Sequence, residues 1–222
     1  PDVIEKVLDA VRELESLGAS IKEISLPLLE YGVPAYYTIA TAEASSNLQR
    51  FDGIRYGYRA EDVKDLEDLY VKTRTEGFGE EVKIRSLLGT YMLSEERYEK
   101  YFEHAAKVRT LIREDFEKMF EQVDVIVTPT ATSIAPKLED QDEPRETAVD
   151  RYSADLLTVP VNLAGIPALS VPCGFVEDLP VGLQLIGRAF DESTLYQVGH
   201  AFEQATDHHK EHPQVMKGEE NE

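Results

Sequence analysis

Two apolar segments lie close together near the carboxyl end of the chain: Asn162-Leu-Ala-Gly-Ile-Pro-Ala-Leu-Ser-Val-Pro-Cys-Gly174 and Pro180-Val-Gly-Leu-Gln-Leu-Ile-Gly187. Each contains a short, mainly apolar run, at 168–171 and at 181–186, bounded by glycine and proline. Such runs are typical of strands buried on both faces of an α/β sheet. We therefore predict two paired core strands, followed by a final helix that opens at Phe190-Asp-Glu-Ser-Thr-Leu-Tyr196.

The length and composition of the chain favour one domain. With 222 residues, 42% of them hydrophobic, the chain is long enough to bury one sizeable core. Its sequence has no run of about 18 apolar residues, and its start, Pro1-Asp-Val3, lacks the pattern of a signal sequence. The single cysteine, Cys173, excludes an internal disulfide and fits a reducing compartment. We expect a cytoplasmic protein without membrane contacts.

The chain is strongly acidic. Its 43 acidic residues exceed its 23 basic ones, which gives a formal net charge of −20. Such a charge repels a phosphate backbone unless basic residues gather on one face, and the sequence contains no such cluster. Any nucleic acid is therefore expected to be held by a partner subunit. The acidic excess fits either adaptation to a saline cytoplasm or solvation of helix faces.

The first part of the chain predicts two helices and a strand. Apolar residues recur at helical spacing over 3–17, and Gly18 ends the run. Alternating apolar residues over 21–26 predict a strand. A second helix is predicted over 34–48, followed by a turn-rich stretch at 51–58. Because the first helix needs a sheet against which to bury its apolar face, we expect the chain to be part of a longer protein.

Charged helical segments are predicted over 61–122, with a break at Gly77 and Gly79. A long helix is expected to start at Ser94. Its apolar residues recur at spacings of three and four, which favours a core-facing helix over a coiled-coil surface. They are Tyr98, Tyr101, Phe102, Ala105, Val108, Leu111, Ile112, Phe116, Met119 and Phe120.

The rest of the chain predicts one more strand and two polar segments. A short strand is predicted over 123–127, so that the long helix and this strand form an αβ unit. Residues 137–149 lack an apolar period and are predicted to form a polar surface loop. Residues 206–222 are predicted to be a frayed acidic tail.

Four other segments carry distinctive motifs: Glu43-Ala-Ser-Ser-Asn-Leu-Gln-Arg-Phe-Asp-Gly-Ile-Arg-Tyr-Gly57, Arg74-Thr-Glu-Gly-Phe-Gly-Glu-Glu-Val-Lys-Ile-Arg85, Lys107-Val-Arg-Thr-Leu-Ile112 and Asp155-Leu-Leu-Thr-Val-Pro-Val-Asn-Leu-Ala-Gly165. Together with the closing segments, they resemble the amidase family. Within that family they are similar to one branch, the A subunits of glutamine-dependent aminoacyl-tRNA amidotransferases. The resemblance covers nearly the whole chain except the 137–149 loop and the tail.

The resemblance implies an α/β fold. Residues 1–222 would form the carboxyl-terminal part of a single amidase domain, of the α/β/α mixed-sheet type, with a helical insertion at about 34–122. Members of the family use a lysine and two serines, the nucleophile lying in a glycine-rich stretch that supplies donors to the oxyanion. This chain has no Gly-Gly pair, and its only serine pair, Ser45-Ser46, falls in a predicted helix. We therefore expect the catalytic residues upstream of Pro1 in the intact protein.

The glutamine-binding residues implied by the resemblance are Tyr36, Arg85 and Asp155. Glutamine carries an α-carboxylate and an α-ammonium, so a pocket that prefers it needs a cation and an anion. Arg85 would bind the carboxylate, Asp155 the ammonium, and Tyr36 would line the pocket. From the residues alone, Arg85 fits a solvated helix arginine, Asp155 fits the first turn of a helix and Tyr36 fits a core position.

The function implied by the resemblance is glutamine hydrolysis that supplies ammonia for amidation of Glu-tRNA(Gln) or Asp-tRNA(Asn). The partners would be a B subunit, which uses ATP and Mg²⁺ and holds the tRNA, and a small C subunit. No cofactor is expected in this chain. Two alternatives are a stand-alone amidase acting on other carboxamides and a catalytically silent, truncated fragment. The isolated chain is expected to be inactive.

The remaining reactive residue types are interpreted structurally. Cys173 follows a predicted buried strand without a nearby histidine, which favours an inert thiol over a nucleophile. His208, His209 and His212 lie in the polar tail without a carboxylate or thiolate framework, so we expect no metal site. The glycines of residues 53–79 match no phosphate-binding loop.

Overall fold

The computed structural model describes residues 2–136 and 155–213. Their contacts divide the chain into two compact units. The described residues of Pro1–Val33 and Leu111–Glu222 contain a β-sheet and are called the sheet unit. Residues Pro34–Thr110 are built from helices and turns and are called the helical unit.

Seven α-helices and three strands are found in the described residues. In chain order they are α1 (Asp2–Ser16), α2 (Gly32–Leu48), α3 (Leu66–Gly77), α4 (Glu80–Met92), α5 (His104–Phe120), β1 (Ile126–Pro129), α6 (Val159–Ala164), β2 (Ala168–Val176), β3 (Leu179–Ile186) and α7 (Glu192–Ala205). Shorter elements are 3-10 helices at Pro27–Tyr31 and His208–Lys210 and a π-helical turn at Glu99–Glu103. The architecture is therefore mixed α/β and rich in helix.

The three strands form one antiparallel sheet in the order β1-β3-β2. Strands β2 and β3 are joined by a two-residue turn, Glu177 and Asp178. The predicted pairing of the two strands is therefore confirmed. Burial on both faces is wrong for β2, because Ala168 and Ser170 are exposed. In the register of the sheet, Gln184 of β3 lies between Thr128 of β1 and Ser170 of β2.

One face of the sheet packs against α1 and α7. The buried side chains of this core are Val3, Val7, Ala10 and Leu14 of α1, Val171, Cys173, Val181, Leu183 and Leu185 of the sheet, and Leu195 and Phe202 of α7. The members on α1 are spaced by four, three and four residues, which places them on one helical stripe. Burying each valine, leucine or phenylalanine contributes about 1.5–3 kcal/mol. The predicted first helix is confirmed, and Gly18, with φ of 103°, follows its end.

In the helical unit, α2 and α4 cross at very short range. A Cβ atom at Gly89 of α4 would overlap the backbone carbonyl of Thr41 and would lie 2.6 Å from Cβ of Ser45. Beside this contact, the hydroxyls of Ser45 and Thr90 share a hydrogen bond of 3.0 Å. Glycine at position 89 is thus what allows the two helices to approach this closely.

The predicted strand over 21–26 is wrong, because residues 19–26 form no regular structure. Ile21 is 48% exposed. A strand needs the backbone of a neighbouring strand, and a local alternation of apolar residues does not supply one. The strand predicted at 123–127 is displaced to Ile126–Pro129, since the backbone N–H groups of Gln122 and Val123 are still bonded to the carbonyl of Met119 after α5.

The long helix predicted from Ser94 is interrupted. A π-helical turn occupies Glu99–Glu103, and the N–H of Glu103 donates to the carbonyl of Tyr98 at 3.0 Å. The wider turn changes which side of the helix the later residues occupy. The core-facing prediction is confirmed for Ala105, Ile112, Phe116 and Phe120, which are buried, and is wrong for Tyr98 and Leu111, which are exposed.

The carboxyl side of the chain contains the final helix and part of the predicted tail. The final helix is confirmed as α7. The loop predicted at 137–149 and the last part of the predicted tail lie outside the described residues. In the described part of the tail, residues His208–Lys210 form a 3-10 helix, and the ring of His208 lies 6.4 Å from that of Phe202. No helix among residues 2–136 and 155–213 is long and apolar enough to cross a membrane.

Candidate functional site

Arg85 projects from α4 towards an aromatic ring of α2. Its guanidinium carbon is 5.8 Å from the ring centroid of Tyr37, within the range of cation–π attraction. One turn earlier on α4, Oε1 of Glu81 accepts a 2.8 Å hydrogen bond from Nε of Arg85. This bond is the main cause that raises the pKa of the Arg85 guanidinium. With Nε held by Glu81, the two terminal nitrogens remain as the fork that a carboxylate binds.

Tyr36 belongs to the same aromatic cluster. The rings of Tyr36 and Tyr37 meet edge to face, with centroids 5.2 Å apart and planes at 82°. Two of the predicted site residues, Tyr36 and Arg85, are therefore brought together by contact with Tyr37. Sequence reasoning missed the contact between Tyr37 and Arg85. The position of Tyr37 beside Tyr36 was the only signal, and a local pattern does not show which of two adjacent tyrosines faces α4.

Asp155 lies in the sheet unit, in a turn over residues 155–158 that leads into α6. Its backbone carbonyl accepts hydrogen bonds from the N–H groups of Thr158 at 3.2 Å and Val159 at 3.0 Å. The residue is exposed. Asp155 precedes Thr158, the N-cap of α6, by three residues, so the expectation of an acidic residue in the first turn of a helix is wrong. Tyr36 and Arg85 belong to the helical unit.

A row of polar side chains lies on the sheet face opposite the α1 and α7 core. Nε2 of Gln184 donates to Oγ1 of Thr128 at 2.9 Å and to the carbonyl of Leu157 at 3.1 Å. Next to it, the hydroxyls of Thr130 and Ser170 lie 2.7 Å apart across Gly182. Sequence reasoning missed this row, although a glutamine between two leucines in a buried strand was the available signal.

Two residues with nucleophilic side chains have structural roles. Ser45 of the only serine pair shares a hydrogen bond with the hydroxyl of Thr90. Cys173 is 3% exposed, and burial raises the pKa of its thiol to about 11. A thiol with this pKa stays protonated near neutral pH and is a poor nucleophile.

The sequence model of one family, described as Amidase, matches residues 1–196. The chain belongs to the amidase family. The predicted resemblance is thus confirmed, and the mixed α/β architecture is that of this family's known folds.

Two curated relatives of this amidase chain share the same name. The A subunit of glutamyl-tRNA(Gln) amidotransferase from Streptococcus gordonii is 58% identical over 217 residues, which are 98% of this chain and 44% of that protein. The protein of the same name from Lactiplantibacillus plantarum is 57% identical over 215 residues, 97% of this chain and 44% of its own length. The amidase chain therefore spans less than half the length of these relatives.

Solved structures show the same fold. The A subunit of glutamyl-tRNA(Gln) amidotransferase from Thermotoga maritima matches with a TM-score of 0.66 and 38% identity, over 91% of this chain and 38% of that chain. A bacterial aryl acylamidase of the amidase signature family matches with a TM-score of 0.70 over 94% of this chain and 41% of its own. Because its identity is 18%, the second match shows the fold alone.

Proposed function

We propose that this amidase chain belongs to an A subunit that hydrolyses glutamine and supplies the ammonia for amidation of Glu-tRNA(Gln) or Asp-tRNA(Asn). Curated relatives that match nearly the whole chain carry the name of such an A subunit, and this supports the proposal. In the site, the supporting observation is the contact between the Arg85 guanidinium and the Tyr37 ring. A positively charged guanidinium at this position helps to bind a charged substrate such as glutamine but contributes nothing to the binding of an apolar amide.

Each proposed residue has one role in binding glutamine. The terminal nitrogens of Arg85 bind the α-carboxylate through two parallel hydrogen bonds, and the carboxylate of Asp155 accepts from the α-ammonium. Tyr36 lines the pocket beside the arginine. Hydrogen bonds to charged groups contribute about 1.5–3 kcal/mol each, so the loss of either charge should weaken binding by roughly 10- to 100-fold.

The chemical step is assigned to residues in the part of the relatives' length that this chain does not span. There, a serine hydroxyl attacks the side-chain amide carbon of glutamine, the carbon–nitrogen bond breaks and ammonia leaves. Water then hydrolyses the glutamyl ester to glutamate. A second serine and a lysine move the protons, and backbone N–H groups stabilise the oxyanion.

The proposed partners are the B and C subunits of the same amidotransferase. The B subunit would hold the tRNA and use ATP and Mg²⁺, so that ammonia passes from the glutaminase site to the activated aminoacyl end. The formal net charge of −20 supports tRNA binding by the partner, because this chain repels a phosphate backbone. The complex would be a cytoplasmic heterotrimer.

The test uses the full-length protein with its partner subunits. Arg85→Ala and Asp155→Asn are expected to lower kcat/KM for glutamine by roughly 10- to 100-fold, mainly through KM. Arg97→Ala is the matched control, because Arg97 also lies over a tyrosine, 4.3 Å from the Tyr91 centroid, and has no proposed role. If both site variants kept the original kcat/KM, the assignment would be wrong.

A stand-alone amidase acting on other carboxamides is the competing function. It predicts that simple aliphatic amides are hydrolysed as well as glutamine and that Arg85→Ala affects neither. The proposed function predicts a strong preference for glutamine that disappears in Arg85→Ala. The isolated 222-residue chain is expected to hydrolyse neither substrate. Hydrolysis by that chain would contradict the assignment of the catalytic residues to the remaining length.

A further inference from the structure

Gln184 is a buried amide at the centre of the sheet. It is 4% exposed, and its strand neighbours Leu183 and Leu185 are buried on the opposite face. A carbonyl oxygen only accepts hydrogen bonds, so the amide must direct its NH₂ group to the carbonyl of Leu157. The second N–H is taken by the hydroxyl oxygen of Thr128. The orientation of this side chain is therefore determined by two acceptors from two different segments.

One of these acceptors lies in the turn that carries Asp155. Leu157 follows Asp155 by two residues, and the backbone bonds of Thr158 and Val159 to the Asp155 carbonyl close the same turn. A bond to the Leu157 carbonyl therefore ties the whole turn to β3. Among the described side chains of the sheet, Gln184 is the one that hydrogen-bonds to this turn.

Because an unpaired buried amide is costly, the hydrogen bond between Gln184 and the Leu157 carbonyl favours the one position of the turn in which it is made. A buried N–H that loses its acceptor is destabilising, because no water molecule replaces the lost hydrogen bond. An apolar side chain of similar size would fill the same space without this constraint. A movement of the turn away from β3 would break the hydrogen bond between Gln184 and the Leu157 carbonyl and leave one N–H of the buried amide without its acceptor.

We propose that Gln184 is the positioning residue for Asp155. Through the Leu157 carbonyl, it holds the Asp155 carboxylate where the α-ammonium of the substrate binds, and it thereby contributes to selection of α-amino amides over amides that lack the amino group. This inference rests on the proposed function. Gln184 itself does not touch the substrate.

The experiment compares two substrates of the full-length protein in its complex. Glutamine is compared with glutaramate, which has the same amide and carboxylate but no α-ammonium. Gln184→Leu is expected to lower the ratio of kcat/KM for glutamine to that for glutaramate by roughly tenfold, through KM for glutamine. General damage to the fold would lower both values together and leave the ratio unchanged, which would overturn the proposal.

Matched variants distinguish the effect of the hydrogen bond to the turn from the effect of other polar side chains on the same sheet face. Thr130→Val removes the hydroxyl pair with Ser170 on the same sheet face and should leave the ratio unchanged. Thr128→Val removes one acceptor of Gln184 but keeps the bond to Leu157, so a reduction smaller than that of Gln184→Leu is expected. If Gln184→Leu does not fold, Gln184→Met, which is closer in shape, must show the same tenfold loss.

A double-mutant cycle distinguishes this inference from the proposed function. In Asp155→Asn/Gln184→Leu, the ratio should fall no further than in Asp155→Asn alone, because Gln184 acts through Asp155. An additive loss would overturn the inference. If Asp155→Asn itself leaves the ratio unchanged, the proposed binding site fails. If Asp155→Asn lowers the ratio and Gln184→Leu does not, only the positioning role fails.

Discussion

Gly89 of α4 lies directly against the backbone carbonyl of Thr41 of α2, with no room for a side chain between them. Four residues earlier on both helices, Arg85 lies over the ring of Tyr37. Four residues are about one helical turn, so the two contacts follow each other along the same interface. The close glycine contact therefore sets the distance at which the arginine meets the tyrosine pair.

Gly89→Ala tests this relationship. In an unobstructed helix, replacing glycine with alanine stabilises by about 1 kcal/mol. Here the added Cβ would overlap a backbone atom, so we expect a loss of about 1–3 kcal/mol and a higher KM for glutamine. Urea unfolding and glutaminase kinetics of the full-length protein measure both. Gly79→Ala is the control, since no atom lies within 4 Å of its Cβ, and a stabilised Gly89→Ala would contradict the close contact.

Glu81→Gln should separate substrate binding from stability. The side chains of Glu81 and Arg85 are 63% and 36% exposed, so their ion pair is expected to contribute less than about 0.5 kcal/mol to folding. The same pair holds Nε of Arg85, and its loss should raise KM for glutamine about threefold without changing kcat. Glu80→Gln, in the same helical turn, serves as the control. The amide oxygen of a glutamine at position 81 can still accept from Nε, so an unchanged KM in Glu81→Gln would show that the charge of Glu81 is not needed to orient the arginine.

The turn between β2 and β3 has a strained backbone, and a glycine substitution should relieve the strain. Glu177 and Asp178 have φ of 50° and 63°, a region that ordinary side chains occupy at a cost of about 1–2 kcal/mol. Asp178→Gly is therefore expected to stabilise the protein by up to about 1 kcal/mol, and Asp178→Ala to destabilise it. Thermal or urea unfolding checks both signs. A destabilised Asp178→Gly would show that the aspartate side chain supports the turn.

The burial of Cys173 predicts that the stability of the folded protein falls at alkaline pH. Its thiol pKa is raised by burial from 9.0 to about 11 in the folded protein. The folded state thus favours the neutral thiol, and this contribution to stability is complete below pH 9 and is lost as pH rises towards 11. The loss should be smaller in Cys173→Ala, measured by urea unfolding from pH 8 to 11. Rapid alkylation of the folded protein by iodoacetamide at pH 8 would contradict this.

The elements that sequence reasoning predicts correctly depend on local signals. Strands β2 and β3 are predictable because glycine and proline bound two apolar runs, and α1 because its apolar residues follow one helical stripe. The prediction of a strand at 21–26 fails because an alternation of apolar residues does not by itself supply a partner strand, and residues 19–26 form no regular structure. The π-helical turn at Glu99–Glu103 leaves no mark in the apolar spacing.

The candidate site was likewise predictable from the sequence only in part. Arg85 and Asp155 are proposed for glutamine binding because their motifs resemble those of the A-subunit branch, and their charges are opposite to those of the α-carboxylate and the α-ammonium. The contacts of Tyr37 with Arg85 and of Gln184 with the Leu157 carbonyl depend on how α4 faces α2 and how β3 meets the turn before α6. Contacts between distant segments carry no periodic signal in the chain.

The sequence by itself determined the family, the helical and strand segments with strong apolar periods, and the charged residues that are proposed to bind glutamine. Only the tertiary structure decided that Gly89 brings Arg85 against Tyr37 and that Gln184 ties the turn of Asp155 to the sheet. The physical reason is that periodicity and turn residues act over a few neighbours. Close packing and buried hydrogen bonds join residues that are far apart in the chain.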